Sequence, residues 1–245
     1  MDGQRCQRLD NATIVSIFNS GIPVAYSDFT VRKVKQTFGI TTIEGGCFFP
    51  PIDPIEPSQF LVDFLAEAFP LASMLKSEKA KSEFLIGLVL LEVRRHLKHQ
   101  VSLFSGEEFT VDAAIGLSGV CDFLISQSPE QLEIEAPVII IVEAKKADLN
   151  AGMGQCMAEM IAAQQFNREA GREPSPIYGC VSSGTLWRFL RLTDRQVSID
   201  VENYLLTPID RLLGKLIWMA QDHSSAPGNT LKPSTDRRNP STLSL

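Results

Sequence analysis

The stretch Pro137-Val138-Ile139-Ile140-Ile141-Val142-Glu143-Ala144-Lys145 decides the reading of this chain. A short, β-branched, continuously apolar run predicts a strand buried on both faces. Side chains alternate along a strand, so Glu143 and Lys145 point to one side and Ala144 to the other. A carboxylate and an ammonium at the end of a buried strand are costly unless something compensates them. A divalent cation shared by Glu143 and a second acid would do so.

Asp122 is the obvious second acid. It lies in Val120-Cys121-Asp122-Phe123-Leu124-Ile125, another strand-like run, and twenty residues separate it from Glu143. That spacing suits two strands joined by the polar loop 126–136, which contains Pro129.

The pattern Asp…Glu-x-Lys resembles the PD-(D/E)xK nuclease superfamily. Upstream, Ser77-Glu78-Lys79-Ala80-Lys81-Ser82-Glu83 opens a long apolar helix that looks like the acid-bearing first helix of that family. Gln155 sits on the predicted helix after the Glu-x-Lys strand, where several branches of the superfamily carry a glutamine. Tyr178-Gly179-Cys180-Val181-Ser182-Ser183-Gly184-Thr185-Leu186-Trp187-Arg188-Phe189 resembles the hairpin that often follows. The resemblance covers roughly residues 61–206, and the element order agrees throughout. It implies an α/β fold with a restriction-endonuclease-like three-layer core, a central mixed β-sheet flanked by helices.

The resemblance also implies a reaction, Mg²⁺-dependent hydrolysis of DNA phosphodiester bonds by an endonuclease, with Mn²⁺ able to substitute. Such hydrolysis needs an in-line water, neutralised phosphate charge and a stabilised leaving oxygen, and carboxylate-held Mg²⁺ serves all three. Mg²⁺ keeps several waters, so two or three acids suffice without a histidine cage. Asp122 would be the central metal ligand, Glu143 would complete the first site, and Glu83 would extend it through a water, with Glu78 as its rival. Lys145 could orient or deprotonate the attacking water or stabilise developing charge. An ion pair of Lys145 with Glu143 or Asp122 is the structural alternative, and the two roles are compatible. Gln155 would contact the substrate phosphate, Lys145 or the water. Glu159 shares its helix face at i+4, and a solvent-facing polar pair is the other reading of these two.

Composition bounds these expectations. The chain has 245 residues, 44% hydrophobic and 21% charged, ordinary for a globular protein of one large domain, or one domain with a small extension. Five scattered cysteines, with no C-x-x-C pair, indicate neither a zinc site nor a disulfide framework. Free thiols suit a reducing cytoplasm. The first residues lack the apolar stretch of a signal peptide, and the longest apolar runs are too short to span a bilayer. A cytoplasmic protein without membrane contact is expected.

The net charge of −6 argues against indiscriminate binding to a polyanion. Local field matters more, and basic residues cluster at Lys76, Lys79 and Lys81, at Arg94, Arg95 and Lys98, and at Arg188, Arg191 and Arg195. Each cluster reads first as a solvated face. DNA is the expected partner, with a homodimer as the assembly to test. His96 and His99 lack a third metal partner and read as capping or solvent-exposed. Trp187 and Phe189 could stack on bases, although core packing of a hairpin is the preferred reading.

Three regions follow: an N-terminal arm with a Pro-rich connector over 1–58, a nuclease-like domain over 59–222 and a disordered tail over 223–245. The arm holds an element at 11–18 and a short helix within 27–38, capped by Ser27 or Asp28. The domain is expected to contain a helix over 77–97, strands over 108–117, 120–126 and 138–145, and a two-residue turn at Ser118-Gly119. A helix over 152–170, strands over 177–182 and 186–192, an edge strand at 197–201 and a closing helix over 208–221 complete it. Two rival functions stay open: a non-catalytic nucleic-acid-binding or protein-interaction module on the same fold, and a nuclease acting on RNA or branched DNA.

Overall fold

In the computed structural model, residues 25–75, 77–173 and 175–221 are described. The expected element at 11–18, Lys76 of the first basic cluster and the tail 223–245 lie outside the described residues.

Helix α1 (Val31–Phe38) is capped by Thr30, whose side chain accepts from the Lys33 N–H, rather than by Ser27 or Asp28. Gly39 ends it in the left-handed conformation. Strand β1 (Thr41–Gly46) follows. After the proline connector comes α2 (Gln59–Met74), capped by Ser58. Next, a helical turn Glu78–Lys81, a π turn Ser82–Ile86 and an α-helix Gly87–His96 run on as one helix, α3. Then come β2 (Ser102–Glu108), β3 (Val120–Ser126) and β4 (Val138–Ala144). Helix α4 (Asn150–Glu169) leads to β5 (Ile177–Ser182), β6 (Leu186–Thr193), β7 (Gln196–Asp200) and β8 (Tyr204–Leu205). Helix α5 (Ile209–Ala220) closes the domain.

The protein is α/β, with an eight-stranded mixed sheet among the described residues. Its order is β1-β7-β6-β5-β4-β3-β2, and β8 pairs with β6. The β1/β7 and β4/β5 pairs are parallel and the others antiparallel. Helices cover both faces. One core joins the sheet to α2, α3 and α5 through Leu61, Leu90 and Leu216. The other joins it to α1 and α4 through Val34, Cys156 and Met160. All seven residues of β4 are buried, as expected for a strand covered on both sides.

Asn167 sets the register of α4 on the sheet. Its Oδ1 accepts from the Val138 N–H and its Nδ2 donates to the Val138 carbonyl, both at 2.7 Å. Both contacts tie α4 to the start of β4. Twelve residues back along a helix is ~18 Å and five residues along a strand is ~17 Å. Gln155 is thereby carried to the level of Glu143, at the other end of β4.

Several elements differ from expectation. The strand expected over 108–117 is instead β2, ending at Glu108. Residues 109–119 form a loop whose Asp112 side chain caps the short helical turn Ala113–Ile115, with Gly116 left-handed after it. That local turn chemistry overrides the apolar pattern, so Ser118-Gly119 is the end of a longer connection rather than a tight hairpin turn. Strand β7 is not the edge, because β1 pairs outside it. The glycines of β1 read as breakers, yet an edge strand with one exposed side tolerates them. The described part of the arm is therefore integral to the fold: β1 extends the sheet and Val34 of α1 enters the α4-side core.

Candidate active site

The site lies at the end of β4 on the α4 side of the sheet. Leu124 and Ile141 are cross-strand partners and both enter the α4-side core. Two residues beyond Ile141 stands Glu143, which the period of two keeps on that face. The β3/β4 ladder ends at Phe123 and Val142 and Cys121 turns into the α4-side core, so Asp122 is set by its own contact rather than by alternation. Asp122 Oδ2 accepts a 2.7 Å hydrogen bond from the Ala144 N–H, which bolts β3 to β4 beside Glu143.

Glu143 is 1% exposed. Its Oε1 is ion-paired with Lys145 Nζ, and its Oε2 accepts from Gln155 Nε2 at 2.9 Å. Burial first, and then the nearby Asp122 charge, push its carboxyl up to about 8, against the opposing pull of Lys145. Lys145 shows the balance from the other side. Burial favours its neutral amine, but the Glu143 carboxylate outweighs that and leaves the ammonium held above its ordinary range. The backbone fixes Lys145 as well, since its N–H donates to the Ser182 carbonyl at 2.8 Å.

Gly152 on α4 makes room for that lysine. A Cβ there would stand 2.8 Å from Val181 Cγ1 and 2.9 Å from Lys145 Cγ, closer than real Cβ contacts come. Two further residues complete the inner wall. Gln155 Nε2 also donates to Glu159 Oε1 at 3.1 Å. Glu159 is 0% exposed, and its Oε2 has no hydrogen-bond partner among the described residues. Burial, with the Glu143 charge next, raises its carboxyl well above the ordinary range. The Gln155/Glu159 pair is thus internal, not solvent-facing. Only the i+4 spacing hinted at their partnership, and nothing in the sequence marked the depth at which they sit.

The structure brings Asp122, Glu143, Lys145 and Gln155 together and leaves Glu83 aside. Glu83 is ion-paired with Lys79 at 2.9 Å, and its side chain is 54% exposed. The acid of α3 whose charge reaches Glu143 and Lys145 is Glu78. The π turn is the reason. The Gly87 N–H bonds to the Ser82 carbonyl five residues back, so regular α spacing does not run through the segment that carries Glu83.

Of the other expected residues, Trp187 and Phe189 are fully buried, with Trp187 Nε1 donating to the Gly184 carbonyl. His96 and His99 are exposed. Basic groups stand around the site. Lys81 Nζ donates to the Lys146 carbonyl at 2.9 Å, and Arg188 bonds Asn150 and Asn203.

Among the described residues, no group of three or more His, Cys, Asp or Glu side chains is arranged to hold a metal ion. The donor set still fits Mg²⁺. Asp122 and Glu143 are hard oxygen donors, and a buried carboxyl pushed up by a neighbouring carboxylate is an environment that a cation relieves. No described helix is long and apolar enough to cross a membrane. Compared with known protein families, curated proteins and solved structures, the chain matches none of them.

Proposed function

We propose that the protein is a Mg²⁺-dependent endonuclease of the PD-(D/E)xK type, on a restriction-endonuclease-like core, that hydrolyses DNA phosphodiester bonds. The observation that carries this reading is the convergence of Asp122 and Glu143 from adjacent strands with Lys145 on the Glu143 carboxylate.

Asp122 and Glu143 would hold the ion, and Glu78, whose charge is felt at Glu143, is the α3 acid proposed to extend the site through water. Mg²⁺, or Mn²⁺ in its place, would neutralise phosphate charge, acidify a water and stabilise the leaving oxygen. Lys145 then has a defined task. With the Glu143 carboxylate engaged elsewhere, its ammonium is left beside the reacting phosphate, to orient the attacking water and stabilise developing negative charge. Gln155 keeps Glu143 aligned by donating to its second oxygen. Lys81, Lys146 and Arg188 supply local positive charge for a polyanion, despite the net −6.

A homodimer belongs to the same proposal. Phe60, Phe64, Leu71 and Met74 leave one flank of α2 apolar and exposed, Met74 at 81%, a surface that a second copy would cover. Sedimentation velocity tests it directly.

The net charge keeps a non-catalytic module on the same fold as the second reading. Single-turnover cleavage of linear, nicked, branched and single-stranded DNA, and of RNA, separates the two. Lys145→Ala should slow cleavage at least ~100-fold while DNA affinity at one fixed salt concentration is retained. Wild-type binding without cleavage of any substrate, in Mg²⁺ or Mn²⁺, would establish the module instead.

A further inference from the structure

Glu159 has no place in the reaction above, yet it is fully buried with one carboxyl oxygen unpartnered among the described residues. Buried polar atoms without partners cost folding free energy and call for an explanation. Its one hydrogen bond supplies it. An amide nitrogen carries two N–H groups, and those of Gln155 are divided between Glu143 Oε2 and Glu159 Oε1.

We infer that Glu159 is a positioning residue that fixes which way the Gln155 carboxamide faces. With both N–H groups claimed by carboxyl oxygens, the amide nitrogen is the end that faces Glu143. Without Glu159, the single bond to Glu143 is left to oppose a flip of the amide. The flip would withdraw the N–H that now bonds Glu143 Oε2 and set the amide oxygen there in its place, and Glu143 would lose its alignment. The cost of burying Glu159 is thus spent on order at the site rather than on stability.

This inference rests on the proposed nuclease reading, and one set of variants keeps the two separable. Glu159→Leu removes the acceptor at similar volume, whereas Glu159→Gln retains a carbonyl oxygen for Gln155. Mn²⁺ affinity by calorimetry should fall ~10–100-fold in Glu159→Leu, as for other residues that orient a ligand. kcat should fall with little change in KM. The melting temperature in EDTA should hold or rise, because the unpartnered oxygen is gone. Glu159→Gln should recover part of the loss in both affinity and kcat.

The Gln155 side-chain NH₂ resonances, assigned by their disappearance in Gln155→Leu, report the orientation without any metal or substrate. They should shift and exchange faster in Glu159→Leu. Resonances, Mn²⁺ affinity and kcat all unchanged in Glu159→Leu would overturn the inference. So would a melting temperature lowered equally in both variants, since that marks a merely structural side chain. A wild-type protein that neither binds Mn²⁺ nor cleaves overturns the nuclease reading, and the Gln155 resonances then decide this one alone.

Discussion

The Ala144 N–H donates to Asp122 Oδ2 at 2.7 Å, so the acid of one strand is held by the backbone of the next, one residue beyond Glu143. This bond places two carboxylates side by side without any help from a cation. Like charges in a partly buried site repel, and that repulsion is stored in the folded protein.

Asp122→Asn keeps an acceptor oxygen for Ala144 and removes the charge. It should fold, and its melting temperature in EDTA should equal or exceed that of the wild type. Mg²⁺ or Mn²⁺ should raise the wild-type melting temperature by binding the native state. Most of that rise should vanish in Asp122→Asn. An equal rise in both proteins would mean that the ion binds elsewhere.

The pH dependence of stability follows from Glu143, whose folded carboxyl is pushed up to about 8 from an ordinary value of 4.5. An acid raised on folding binds more protons in the native than in the unfolded state between those two values. Stability of the metal-free protein should therefore be fullest below about pH 4.5 as far as this group is concerned. It should decline as pH rises through the window and level off above about pH 8. At ~1.4 kcal/mol per unit, and allowing for the coupled Lys145, the effect is on the order of a few kcal/mol. Denaturant unfolding in EDTA across this range measures it. Glu143→Gln should flatten the decline, and a wild-type curve already flat would show that Lys145 neutralises Glu143 completely.

The buried strand was legible because β-branched apolar runs admit few other readings, and β3, β4, β5 and β6 stand within a residue of their expected bounds. Asp122, Glu143 and Lys145 were legible because charge at the end of such a run is conspicuous. Glu83 was misplaced because a π turn leaves no mark in the hydrophobic pattern. Strand β1 was missed because its Gly45 and Gly46 signal a break locally, while its pairing with β7 is made across some 150 residues of chain. The depth of Glu159 depends on how α4 lies on the sheet, and that is set by Asn167 at the opposite end of the helix.

Glu92 is a second acid whose environment the sequence concealed. It is buried in α3 and accepts from the Ser58 N–H and hydroxyl, each at 2.9 Å, with Arg95 beside it. Ser58 also caps α2, so one carboxylate ties the start of α2 to α3. Glu92→Ala should cost roughly 1–3 kcal/mol by stranding those donors. Glu92→Gln, which keeps one acceptor, should cost less. Equal losses in urea unfolding would show that the charge, through Arg95, matters more than the acceptors.

Gly152 gives the sharpest test of how closely Lys145 is held. An added methyl would meet Val181 Cγ1 at 2.8 Å and the Lys145 stem at 2.9 Å. Val181 belongs to a strand locked between β4 and β6, so the lysine must give way. Gly152→Ala should therefore destabilise the protein by roughly 1–3 kcal/mol through overpacking. On the proposed reading it should also slow single-turnover cleavage ~10–100-fold, because an ångström of misplacement is enough to lose that much. DNA affinity should change little, since the basic side chains at the rim are untouched. Ala151→Ser, at the exposed neighbouring position, is the control. Cleavage unimpaired in Gly152→Ala, in a protein that has lost stability, would show that the lysine can reach its working position from a displaced stem.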